Sequence, residues 1–101
     1  MTPQQSLSLL RGEIDAVDRE LVALFERRMA LAARIGETKA AVGTAVLDEA
    51  REQQVIERAL EFSAPANHAA AAEFMRKLME LSRARQARYA RPPKSGGDEG
   101  F

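Results

Sequence analysis

Two basic residues in the first half of the chain have a spacing that suits the binding of a small anion. Arg28 and Lys39 are eleven residues apart, so on a helix their side chains point within about 20° of each other. Along the helix axis they lie about 16 Å apart, and their long side chains can lean together and close on an anion between them. The pair therefore predicts a site for a ligand that carries carboxylates.

Polar groups later in the chain can complement these cations. Asp48, Arg51 and Glu52 fall in the first turn of a predicted second helix, where free backbone N–H groups also favour an anion. Ser82 and Gln86 are one turn apart, where the apolar stripe of a predicted third helix turns polar. If these groups converge, the cations bind carboxylates, a carboxylate accepts a hydroxyl and the neutral side chains act as donors.

Arg11 needs a different geometry to reach the same ligand. It lies seventeen residues before Arg28, which is about 25 Å along the helix axis and about 100° around it. The two side chains therefore cannot reach one small ligand from the same rigid helix. In an antiparallel second copy, Arg11 lies beside the middle of its partner's helix, so we expect the partner chain to supply it.

Each of these residues also has an ordinary structural explanation. A lone arginine on an apolar seam, such as Arg28, often sets helix register or extends its charged end to water. Lys39 near a helix C-terminus complements the helix dipole, and Asp48 suits a plain N-cap. The other polar positions fit a solvated face or the polar end of a stripe: Arg51, Glu52, Ser82 and Gln86. The residues alone leave both interpretations open.

One long helix must position the first of these groups. Its apolar residues recur in alternating steps of three and four, the pattern of a helix that packs along a narrow seam. The seam residues are Leu7, Leu10, Ile14, Val17, Leu21, Leu24, Leu31 and Ile35, with Arg28 among them. A helix over 7–39 is about 48 Å long, whereas a 100-residue domain has a radius of gyration of about 13 Å. The rest of the chain cannot cover it, so a homodimer is expected.

The remaining chain predicts two shorter helices and an all-α domain. Ala, Leu, Glu and Arg are abundant, and β-branched and aromatic residues are few, which favours helices. Gly43 is expected to end the first helix in a left-handed conformation. Pro65 breaks the chain before the third helix, and Asn67 is its expected cap. The predicted parts are a leader at 1–6, a helical domain over 7–90 with helices at 7–41, 49–62 and 68–89, and a disordered tail at 91–101.

The shorter helices each have an apolar side that predicts the core. On the second helix it consists of Val55, Ile56, Ala59 and Leu60, and on the third helix of Phe74, Met75, Leu78, Met79 and Leu81. For the start of the first helix, Thr2 or Ser6 is the expected cap. Gly36 either permits the close approach of another backbone or a ligand, or has no role.

Composition excludes several classes of function. The 15 basic and 15 acidic side chains give a formal net charge of zero, which argues against non-specific nucleic-acid binding. Cysteine is absent and His68 is the single histidine, so neither a thiolate site nor a histidine zinc site is expected, and no cofactor is predicted. No apolar run approaches the ~18 residues of a membrane span. The N-terminus lacks a secretory signal pattern, so we expect a soluble cytoplasmic protein that does not bind membranes.

Three motifs occur together and in order. They are I-D-x-x-D-x-x-L-x-x-L-x-x-R-R at 14–28, I-G-x-x-K at 35–39 and D-x-x-R-E at 48–52. Over about 7–90 the chain resembles the all-helical chorismate mutases of the AroQ class. The resemblance implies two intertwined chains that share two active sites and convert chorismate to prephenate, in phenylalanine and tyrosine biosynthesis, without a metal or cofactor. No dehydratase, dehydrogenase or synthase domain follows, so the free-standing form is expected.

The resemblance also implies roles for the charged and amide side chains that would hold the substrate. Arg28 of one chain and Arg11 of the other would bind the two substrate carboxylates. Lys39 and Gln86 would donate hydrogen bonds to the ether oxygen, whose C–O bond breaks.

The remaining family positions would shape the site around the substrate ring. Glu52 and the region of Asp48 would receive the ring hydroxyl, Arg51 and Ser82 would support this arrangement, and Ile35 would form an apolar wall.

Other functions remain compatible with the sequence. Isochorismate-pyruvate lyases resemble the same family, and the connector at 42–48, with Ala45 where relatives often have proline, is more similar to that of a mutase. A non-catalytic helical dimer, which binds another shikimate-pathway enzyme, is a second alternative. A third is a weak mutase that such a partner enzyme activates.

Overall fold

A computed structural model describes residues 1–89, and the predicted disordered tail at 91–101 lies outside the described residues. The described chain is all-α and contains no strand. Its elements are α1 (Pro3–Val42), α2 (Glu49–Phe62), a 3₁₀ turn (Pro65–Asn67) and α3 (His68–Ala87). The prediction of three helices with a very long first helix is confirmed, since α1 has 40 residues. None of these helices combines the length and apolar character needed to cross a bilayer.

Helix α1 begins with a pair of reciprocal hydrogen bonds. The Thr2 hydroxyl accepts from the Gln5 backbone N–H at 3.1 Å, and the Gln5 side-chain oxygen accepts from the Thr2 N–H at 2.8 Å. This capping box satisfies free N–H groups at the helix start. Thr2 rather than Ser6 is therefore the cap, and the helix begins at Pro3, earlier than the predicted residue 7, because proline suits the first helical position.

The connector between α1 and α2 has the predicted signals at both ends. Gly43 has φ 74°, and the Thr44 N–H donates to the Lys39 carbonyl at 2.9 Å. These features form a glycine C-cap of the Schellman type. Asp48 has extended backbone angles, and its carboxylate accepts from the Arg51 N–H at 3.0 Å. Local chemistry at Gly43 and Asp48 thus fixes the length of the connector.

The chain divides into two compact units, residues 1–31 and the chain from residue 32 onward. The first unit is a stretch of α1 alone. Its predicted apolar seam is exposed, from 46% for Leu7 to 58% for Ile14. The exposed seam residues are Leu7, Leu10, Ile14, Val17, Leu21 and Leu24. A single helix cannot cover its own seam, so the seam stays exposed within this unit.

The second unit has a small core between α2 and α3. Ile56, Ala72 and Met79 are buried there, and Val55, Leu60 and Met75 pack against them. The predicted side of α2 is thus confirmed.

The predicted stripe on α3 was partly wrong. Phe74 is 53% and Leu81 36% exposed. The buried line instead runs through Ala72, Met75 and Met79 to Ser82 and Gln86, all of them buried except Met75, which is half-buried. These positions alternate by three and four, so they share one face of the helix, which leaves Phe74 and Leu81 to one side.

The break between α2 and α3 differs in detail from the prediction. Pro65 starts a 3₁₀ turn, and the Asn67 N–H donates to the Ala64 carbonyl at 2.8 Å. Asn67 occupies the N-cap position of α3, but its side chain makes no capping hydrogen bond. The reason is its backbone conformation, φ −107° and ψ 4°, because a capping side chain normally needs an extended residue.

Candidate active site

The last turns of α1 and α3 bring Lys39 and Gln86 together. The Lys39 ammonium donates to the Gln86 side-chain oxygen at 3.0 Å and to the Val46 backbone carbonyl at 2.6 Å. Both acceptors are neutral, and within residues 1–89 no carboxylate forms an ion pair with this ammonium. The site therefore holds a positive charge that two helices and the connector position but do not neutralise.

Gly36 permits the close packing that places Gln86 beside Lys39. A Cβ atom added at Gly36 would lie 2.7 Å from the Gln86 Cα and 2.8 Å from the Gln86 carbonyl oxygen. Both distances are far below normal carbon contacts, so only glycine fits. Of the two interpretations of Gly36, the structure supports the close approach of another backbone. Because Gly36 and Lys39 are three residues apart, they share a face of α1.

Ser82 and Gln86 lie on the buried face of α3, as the extension of the stripe predicted. Both are buried, whereas most polar side chains of the described chain are exposed. A buried amide is stable only when it is hydrogen-bonded, and Lys39 supplies that bond to Gln86. Ile35, the predicted apolar wall, lies next to Gly36 and is about half exposed.

Asp48 caps α2 and Arg51 lies in its first turn, and the described side-chain hydrogen bonds of both stay at this helix. One Asp48 oxygen accepts from the Arg51 backbone N–H, and the Arg51 guanidinium donates to the Gln54 side-chain oxygen at 3.3 Å. Both residues are exposed. The structure thus gives Asp48 the structural role of an N-cap, and the predicted substrate roles of Asp48 and Arg51 stay predictions.

Glu52 has a partner that the sequence analysis missed. The Arg83 Nη1 atom donates to both carboxylate oxygens, at 2.7 Å and 2.5 Å. This ion pair joins α2 to α3 and borders an open groove of about 590 Å³ that Ile56 and Met79 also line. A signal for Arg83 existed, because it lies four residues after the buried Met79, just as Ser82 lies four residues after Leu78.

Arg11 and Arg28 belong to the unit formed by residues 1–31. Arg11 is exposed and Arg28 is half-buried. Their predicted roles, as ligands of substrate carboxylates from two different chains, stay predictions.

A known protein family matches most of this chain. The family model for chorismate mutase type II matches residues 10–87, a range that includes every predicted site residue. Proteins named intracellular chorismate mutase, from Mycobacterium bovis and from two strains of Mycobacterium tuberculosis, are 41% identical to the chain over 56 residues. That stretch is 55% of this chain and 53% of each relative, so the chain spans about half the length of the curated relatives it matches. No solved structure matches it at a significant level. Since the family model covers well over half of the sequence, the chain belongs to the type II chorismate mutase family.

Proposed function

We propose that the protein is a chorismate mutase, an isomerase that converts chorismate to prephenate. Family membership supports this reaction. The observation that carries the proposal is the Lys39 ammonium, which is held beside the buried Gln86 amide and whose acceptors among residues 1–89 are both neutral. An ammonium held in this way can interact with negative charge that develops on a substrate.

The reaction makes few chemical demands on the protein. It is an intramolecular rearrangement in which one C–O bond breaks while one C–C bond forms, without a nucleophile or an external proton. The enzyme must hold the dianionic substrate folded, with the enolpyruvyl group over the ring. It must also place positive charge where negative charge grows, on the ether oxygen. Binding and electrostatics are therefore the whole task of the side chains.

Lys39 and Gln86 are suited to act together on the ether oxygen. An ammonium has three N–H donors, of which Lys39 gives one to Val46 and one to Gln86. The third has no acceptor in the described part of the chain and can donate to a ligand. Because an ammonium can only donate, the Gln86 amide oxygen must face it, and the adjacent amide nitrogen is left as a second donor. In the proposed mechanism, both groups donate to the ether oxygen.

The other predicted positions would hold the rest of the substrate. Arg28 and the partner chain's Arg11 would bind the two carboxylates, since arginine matches carboxylate geometry with paired donors. Glu52 would accept the ring hydroxyl.

A homodimer completes the proposal, because Arg11 has to come from a second copy. The uncovered seam of α1 supports this, since Leu7, Ile14 and Leu21 are each about half exposed in one chain. Burying one such side chain fully is worth about 1.5–3 kcal/mol. An antiparallel partner would cover the seam and bring its Arg11 toward the middle of α1.

The direct test is to incubate the purified protein with chorismate and to follow the loss of its absorbance, with the product identified by chromatography. We expect prephenate. The same protein is then assayed with isochorismate, for which we expect no release of pyruvate. Pyruvate from isochorismate without prephenate from chorismate would identify a lyase instead. No reaction with either substrate would favour a non-catalytic dimer and overturn the proposal.

A further inference from the structure

We propose that Arg83 is a positioning residue for the mutase reaction and that it acts through Glu52. The inference rests on the proposed function, because it concerns the carboxylate that would accept the substrate's ring hydroxyl. Arg83 would hold this carboxylate in a fixed position where α2 and α3 meet.

The contact itself is well suited to fix a carboxylate. A single guanidinium nitrogen, Nη1 of Arg83, contacts both oxygens of Glu52 at 2.7 Å and 2.5 Å. A cation shared between two oxygens restricts both the position and the rotation of the carboxylate group. An ionised carboxylate has about four acceptor sites, so two sites stay available for a hydroxyl.

A second ion pair in residues 1–89 provides a contrast. Lys77 and Glu80 lie within α3, three residues apart, with side chains 64% and 60% exposed. The Arg83 and Glu52 side chains are only 35% and 26% exposed, and they join two helices. Exposed pairs contribute little because water screens them, whereas a partly buried, charge-assisted hydrogen bond is stronger. Of these two ion pairs, Arg83–Glu52 is therefore the one that can hold a side chain in place.

The placement of Arg83 on α3 links it to the Lys39 site. Arg83 and Gln86 are three residues apart, so they share one side of the helix. Gln86 contacts Lys39 on α1, and Arg83 contacts Glu52 on α2. Helix α3 thus contacts both predicted substrate-binding residues, Lys39 and Glu52. Its position therefore determines where these two side chains lie.

The first experiment compares Arg83→Ala with Lys77→Ala in chorismate turnover. Without Arg83, Glu52 is free to leave the position in which it accepts the hydroxyl. We expect kcat/KM to fall about tenfold, which is about 1.4 kcal/mol. Most of the change should be in KM, because the hydroxyl is bound in both the ground state and the transition state. Arg83→Lys should recover part of the loss, and Lys77→Ala should behave as wild type.

The second experiment separates action through Glu52 from direct contact with substrate. Arg83→Ala is combined with Glu52→Gln, and the residual rate is measured at raised enzyme concentration. If Arg83 acts through the carboxylate, its removal should change kcat/KM less than twofold in the Glu52→Gln background. An equal tenfold loss in both backgrounds would overturn the inference, as would an Arg83→Ala enzyme that matches Lys77→Ala. Both of these outcomes contradict the role of Arg83 while the wild type remains an active mutase. An inactive wild type would instead overturn the proposed function itself.

Discussion

Lys39 combines two roles that the sequence does not separate. It lies in the last turn of α1, where a cation also complements the helix dipole. The structure adds its contacts with Val46 and with Gln86, which is 47 residues away in sequence. A contact over that separation depends on how α3 packs, so no local pattern predicts it. The family resemblance predicted both residues for the site, but only the structure shows their hydrogen bond.

Replacing Lys39 by alanine should affect catalysis more than stability. Loss of one donor to a developing negative charge typically lowers the rate by about 10²–10³, or about 3–4 kcal/mol. The two lost charge-assisted hydrogen bonds, one of them to the buried Gln86 amide, should cost about 2 kcal/mol of folding free energy, about 8–16 °C in melting temperature. Chorismate kinetics and thermal melts of Lys39→Ala, with Lys77→Ala as the control, test this. Near-normal turnover of Lys39→Ala would show that Lys39 does not act on the substrate.

Helix boundaries were predictable where local chemistry decides them. Gly43 ends α1 and Asp48 starts α2, each through contacts within a few residues. The sequence predicted both of these boundaries. The phase of the stripe on α3 was less predictable, because Phe74 and Leu81 are as apolar as Met79. Which side is buried depends on where α2 packs, and this excludes Phe74 and Leu81 from the core.

The packing of α1 against α3 should depend on Gly36. A methyl group there would lie 2.7 Å from the Gln86 Cα, so Gly36→Ala must push the two helices apart. Overpacking of this kind costs about 1–3 kcal/mol. The shift also moves Gln86 away from Lys39, so activity should fall as well. Urea unfolding and chorismate kinetics measure the two effects.

Gly12→Ala is the matched control for this substitution. A Cβ atom at Gly12 meets nothing within 4 Å, and the position lies away from the apolar seam. The same change should therefore stabilise the helix by up to ~1 kcal/mol, with activity unchanged. If Gly36→Ala proves as stable and active as Gly12→Ala, close packing at Gly36 does not position Gln86.

For the molecule as a whole, the exposed seam of α1 predicts a second copy that covers it. The exposure of Leu21 and its neighbours in one chain is consistent with the expected homodimer. We expect sedimentation equilibrium to give twice the mass of one chain, 11.1 kDa. Leu21→Glu should shift the protein toward monomer, because it places a charge in the seam. Val22→Glu, at an exposed position beside the seam, should stay dimeric. A monomeric wild type would contradict the prediction.

A site shared between two chains makes a further prediction about mixed subunits. Arg11→Ala and Arg28→Ala should each be nearly inactive, because every site in either homodimer lacks one arginine. In a heterodimer, one site combines an intact Arg28 with the partner's intact Arg11. Random exchange at equal amounts makes about half of the dimers mixed, each with one intact site, so about a quarter of the wild-type activity should return. The measurement is chorismate turnover before and after mild denaturation and refolding of the mixture, with each variant refolded alone as the control. If the mixture stays as inactive as the separate variants, the two arginines do not meet in one site across the dimer.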